Sequence, residues 1–206
     1  MDENPRDRRN FLRTAACLSA AELTLAPSGE AADDRPNVIG PRTGYAPQIG
    51  TLVSMLTWMR GAVLGSAQGL TRAKLDHLFD SEANTIGSLL LHLAATETYY
   101  QMNTFEGKAW GNWSAEMKQK WDPAMNLGDD GRRVIKGHNL DYYLNALRET
   151  RERSLAEFRK RDDRWLMAVD EKWPWGPTNN YCKWFHVCEH ESHHSGQIVW
   201  LAKRAG

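Results

Sequence analysis

The chain has 206 residues, with 26 lysines and arginines against 26 aspartates and glutamates. That balance leaves no basic footprint for nucleic acid and no acidic tail. No apolar run approaches the ~18 residues a stable membrane span requires, and the length suits one domain with extra sequence.

Residues 1–36 read as export signal and linker rather than fold. Arg8-Arg9-Asn10-Phe11-Leu12-Arg13 precedes a weakly apolar stretch from Thr14 to Ala26, and Gly29-Glu30-Ala31 offers small residues for cleavage before Ala32. The pattern resembles a twin-arginine signal, which implies an exported, extracytoplasmic protein. The alternative is a cytoplasmic protein whose tail holds two arginines. Residues 37–48, rich in Gly and Pro, read as linker, and the domain proper as 49–206.

Helix-period spacing of Leu52, Val53, Leu56, Met59, Val63 and Ala67 predicts a first helix over about 49–72. Gly61, Gly65 and Gly69 recur every four residues and suggest close approach by a neighbouring helix. A second helix is expected from an Asn84 cap to about Asn103, with His92 inside a very apolar run. Residues 105–138, dense in Gly and Trp, read as a long irregular cover with one short helix over 114–120 capped by Ser114. A third helix begins at Asn139 or Leu140. Arg151 is the charge nearest its apolar stripe. After Trp173-Pro174-Trp175-Gly176-Pro177, Thr178 or Asn179 caps a fourth helix reaching about 204. The fold class is therefore all-α, an antiparallel four-helix bundle with a long connection between helices 2 and 3.

Four of the seven histidines lie between 186 and 194. At about 100° per residue, His186, His190 and His194 form one stripe, each about 40° from the next. Two imidazoles at i and i+4 can share a metal ion. His92 is the natural third ligand, from the second helix. Glu189 and Glu191 lie about 100° off the stripe and receive no role. Gln197 and His186 are placed around the ligands, His186 as an alternative ligand or proton-transfer group. Cys182 and Cys188 cannot pair on one intact helix, and Cys188 faces away from His190.

The segments Leu75 to Glu97 and His186 to Ile198 resemble the second- and fourth-helix signatures of the DinB-like superfamily, and Gly128 to Leu147 fits the lead-in to its third helix. One departure is Ser195, where Arg is common. The resemblance implies a four-helix bundle holding a divalent metal on His92, His190 and His194. It also implies kinship with transferases that use mycothiol, bacillithiol or glutathione, and with maleylpyruvate isomerases. Zinc is the foremost metal, with nickel, iron or manganese also suited.

Two functions follow. One is a metal-dependent enzyme, a thiol transferase or hydrolase, acting on a small electrophile through metal-activated thiol or water. The other is a non-catalytic, metal-stabilised binder of small molecules or a stress-response protein. A substrate pocket is expected at Tyr99, Trp110, Trp113 and Arg151. The partner is a small molecule, with a low-molecular-weight thiol as co-substrate. Nucleic acid is not expected as a partner, and a homodimer is allowed.

Overall fold

The structure is a computed structural model that describes residues 32–205. The twin-arginine segment lies outside the described residues. Eight helices and one two-strand ribbon are present among them. The four bundle helices are α1 (Pro47–Ala67), α3 (Ile86–Thr104), α6 (Leu140–Phe158) and α8 (Asn180–Ala202). Short helices α2 (Arg72–Asp76), α4 (Ala115–Asn126), α5 (Gly128–Val134) and α7 (Asp163–Met167) fill the connections. Strands β1 (Val169–Asp170) and β2 (Thr178–Asn179) pair antiparallel before α8. No helix among the described residues is long and apolar enough to cross a membrane.

The caps explain where the bundle helices begin. Asn139 accepts the Tyr142 N–H and starts α6, and Asn179 accepts the Cys182 N–H and starts α8. For α3 the cap is Thr85, which accepts the Ser88 N–H. Asn84, expected in that role, instead accepts the Gly128 N–H and ties the α4–α5 junction to the start of α3. Helix α1 stops at Ala67, short of the expected 72, because Gly69 turns the chain with a φ of +72°. Gly61 and Gly65 face open space, so they admit no neighbouring helix. The glycine that does is Gly87. A Cβ there would lie 2.6 Å from the Tyr143 hydroxyl of α6. Residues 33–45 lie along α1 rather than apart from it. The Gly40 N–H donates to Ser54 Oγ, and Gly50 leaves room for the Arg42 backbone.

Contacts fix the helix directions. Gly87 meets Tyr143, and Gln101 donates to Ser154, so α3 and α6 run parallel. His92 meets His190, and Asn103 meets Lys183, so α3 and α8 run antiparallel. Arg60 donates to the Leu147 carbonyl and Arg151 to that of Leu56, so α1 opposes α6. Two helices thus run each way. The parallel α3–α6 pair needs a return path as long as a helix. The 105–139 connection supplies it. That connection is more helical than its composition suggests: Ser114 caps a full α4, with Pro123 inside it, and α5 follows. Met117, Trp121 and Ala124 bury one face of α4 against α3.

Each bundle helix contributes one charged residue to a sealed layer: Arg60, Glu97, Arg151 and Glu191, all at most 6% exposed. Arg60 bridges Glu97 at 2.8 Å and Glu191 at 2.5 Å. Arg151 bridges the same two carboxylates at 2.8 and 2.7 Å. Two positive and two negative charges cancel, and Ser154 adds a hydroxyl to Glu97 at 2.6 Å. Burial alone would raise the Glu97 pKa. The Arg151 and Arg60 guanidiniums outweigh that and bring it down to about 2. The layer divides the apolar core in two. Val63, Leu90, Leu93, Tyr143, Leu147 and Ile198 pack on one side, and Leu52, Leu56, Tyr100, Phe158, Trp184 and Val187 on the other. A slip or rotation of any one helix would strand a buried charge, at a cost of several kcal/mol. The layer therefore sets the rotation of α8, and with it the direction of the neighbouring His190.

Candidate metal centre

The 3.6-residue repeat of α8 stacks His190 and His194 on the face turned toward α3, where His92 meets them. His92 Nε2 lies 2.8 Å from His190 Nε2, and His194 Nε2 lies 3.1 Å from the same atom. Ligand atoms of all three histidines fall within 4.8 Å of one another. His92 and His194 are buried and His190 half-buried.

The outer ring nitrogens decide which atoms are free to bind. His92 Nδ1 is 2.9 Å from the Ala124 carbonyl, which can only accept, so Nδ1 carries the proton and Nε2 is bare. The Ala124 carbonyl is available because α4 ends two residues later, and terminal carbonyls lack helical partners. That ending is enforced at Leu127, which has a φ of 57°, a region L side chains rarely adopt. His194 Nδ1 lies 2.8 Å from Gln197 Oε1, while Gln197 Nε2 meets His193 Nε2 at 3.1 Å. His194 Nε2 is therefore bare as well.

A neutral His190 supplies at most one proton to this trio. Three converging ring nitrogens then leave at least one lone pair facing another, an arrangement that a cation relieves. Protonation is disfavoured: burial, then the neighbouring imidazoles, push His190 down to about 3. Burial likewise lowers His194 to about 4, and it lowers His92. A neutral, largely buried nitrogen set, with the outer nitrogens of His92 and His194 oriented, suits a divalent transition ion.

The remaining expected site residues are placed as follows. Gln197 holds His194, as above. His186 lies one turn before His190, with ring centroids 5.2 Å apart. Its Nδ1 is 2.8 Å from Glu189 Oε1. Glu189, given no role from its helical phase, thus reaches the stripe by an i, i+3 contact, and His186, Glu189 and His190 form a second potential ligand group. Tyr99, Trp110 and Trp113 form one aromatic cluster, with Tyr99–Trp113 centroids at 5.1 Å and Trp110–Trp113 at 5.7 Å. Tyr99 donates to Asp122 of α4.

Arg151 does not join that cluster. Its guanidinium is held in the charged layer by Glu97, Glu191 and the Leu56 carbonyl. Cys188 is buried and free. Burial and then Glu191 push its thiol up to about 11, the opposite of what a metal ligand or nucleophile needs.

The sequence reading missed the Ala124 carbonyl and the four-residue charged layer. The first could have been found from Met117, Trp121 and Ala124 at helical spacing. The second left only isolated charges at apolar-stripe phase.

No curated protein matches the chain at significant similarity. A family model described as mycothiol-S-transferase matches residues 51–203. That match runs from the first turns of α1 past the end of α8, and takes in all three converging histidines as well as the crossover that holds His92. The chain belongs to the mycothiol-S-transferase family.

Proposed function

We propose that this protein is a metal-dependent transferase that joins a low-molecular-weight thiol to a small electrophile. The observation that carries the reading is the convergence of three Nε2 atoms, on His92, His190 and His194, with the outer nitrogens of His92 and His194 already engaged. His92, His190 and His194 would hold a divalent ion, zinc foremost. Such an ion acts as a Lewis acid and lowers the pKa of a thiol or water sharing its coordination.

The chain's own groups support this chemistry. The Ala124 carbonyl and Gln197 orient two of the imidazoles. Glu189 holds His186 Nδ1, which leaves the other ring nitrogen to take up the thiol proton. The Tyr99, Trp110 and Trp113 cluster supplies aromatic rings suited to an aromatic or apolar electrophile. Mycothiol, from the family's description, is the first co-substrate to try.

The test is to supply the purified protein with zinc and a thiol and to follow conjugation of 1-chloro-2,4-dinitrobenzene. Thiol-dependent product that disappears on chelation, and in His190→Ala, is expected. A rate equal to the uncatalysed one for mycothiol, bacillithiol and glutathione alike would overturn the transferase reading. A second reading, hydrolysis using water at the same ion, is favoured by Arg8-Arg9, because low-molecular-weight thiols are chiefly cytosolic. It expects ester or amide cleavage without any thiol.

A further inference from the structure

A separate cavity of about 380 Å³ opens between the end of α3, the turn at 107–110 and the segment 168–173. It uses no residue of the histidine triad. Lys183, which lines it, is seven residues before His190, or about 10.5 Å along the axis of α8.

The lining is rich in donors. Lys183 is 2% exposed, and its ammonium donates to Asn103 Oδ1 and Asp170 Oδ2, each at 2.8 Å. An ammonium has three N–H groups, and no third acceptor is present among the described residues. The same nitrogen lies 4.2 Å from the Trp173 ring centroid. Trp173 is 4% exposed, and its indole N–H is buried without an acceptor among the described residues. A buried donor left unpaired is costly, and an acceptor brought in by a ligand would remove that cost.

Charge and shape narrow the ligand. Three lysines (108, 172 and 183) line the cavity against one carboxylate, Asp170, and Lys108 is itself paired with Glu106 at 2.7 Å. Lys108 and Lys172 are exposed at the mouth. Asp170 neutralises Lys183 in part and Glu106 does the same for Lys108, so one additional negative charge is favoured over two or three. Trp110 and Trp173 meet edge to face at 4.8 Å and provide apolar walls.

We propose that this cavity is a binding site for the carboxylate of a small aromatic or apolar monoacid. The carboxylate accepts from Lys183 Nζ and Trp173 Nε1, and the hydrocarbon body lies against Trp110. The proposal does not depend on the metal reading.

The probe is benzoate, titrated into the ¹⁵N-labelled protein as purified and again after chelation, with the indole N–H signals followed by NMR. The Trp173 signal is assigned by its loss in Trp173→Phe. A saturable Trp173 shift is expected in both preparations, with benzyl alcohol binding at least about tenfold more weakly. Lys183→Met is expected to abolish the shift. Should that buried change unfold the chain, the exposed pair Lys108→Gln and Lys172→Gln, which spares the core, is expected to weaken benzoate severalfold and leave benzyl alcohol unchanged. The proposal is overturned by no saturable Trp173 shift up to about 10 mM benzoate, by equal affinity for benzyl alcohol, or by binding lost on chelation, which would put the carboxylate on the metal.

Discussion

Replacing Arg151 by Met tests whether the charged layer acts as a unit. Met retains much of the apolar stem and removes the charge. Glu97 loses contacts of 2.8 and 3.2 Å, Glu191 one of 2.7 Å, and the Leu56 carbonyl one of 2.6 Å. Two buried carboxylates then share Arg60, and the sealed layer carries one uncompensated negative charge. Breaking a buried pair from one side costs about 3–5 kcal/mol. At about 2–4 °C per kcal/mol for a chain of this size, the melting midpoint should fall by about 6–20 °C. Adding Glu97→Gln restores neutrality. The two changes together should therefore cost less than the sum of each alone, by about 1–3 kcal/mol. Urea unfolding of chelated protein, followed by circular dichroism, measures all four corners of this cycle. A loss under about 1 kcal/mol with additive effects would refute the layer as a coupled element, because exposed pairs behave that way.

Elemental analysis should find about one divalent ion per parent chain, most of it lost in His92→Ala and retained in His186→Ala. The metal-free protein should lose stability as pH falls from about 6.5 toward 4 and then 3, the values to which His194 and His190 are depressed. The unfolded chain takes up those protons first, so each histidine contributes a slope of up to about 1.4 kcal/mol per pH unit, and a flat denaturation series across that window would contradict the burial argument. Gly87→Ala should destabilise by about 1–3 kcal/mol in thermal unfolding, since the new methyl meets the Tyr143 ring. The twin-arginine pattern proposes a mature chain beginning near residue 32, to be sought by mass spectrometry of the exported fraction.

The bundle was readable because its signals are local. Apolar spacing marks α1, α3, α6 and α8, and Asn139 and Asn179 cap where sequence expects caps. The His190–His194 spacing is local too. What escaped depends on distant partners. Nothing local to Glu97 or Glu191 names Arg60 and Arg151, which reach them from other helices. Arg151 showed its closeness to the apolar stripe, but nothing in its neighbours says which carboxylates it will meet. Helix α4 was obscured by Pro123 and the surrounding glycines, whose usual effect is to break helices. Here the junction at Leu127 and Gly128 confines that break to the end of the segment.

The grip on His92 comes from a main-chain carbonyl. Every amino acid carries that group, so the hold is blind to which side chain stands at 124. The crossover can therefore diverge in composition, reshaping what reaches the histidines, while the imidazole keeps its tautomer and aim. Only a change of length, or of the point where α4 terminates, would release it. The side chains of α4 and the aim of His92 can thus drift independently.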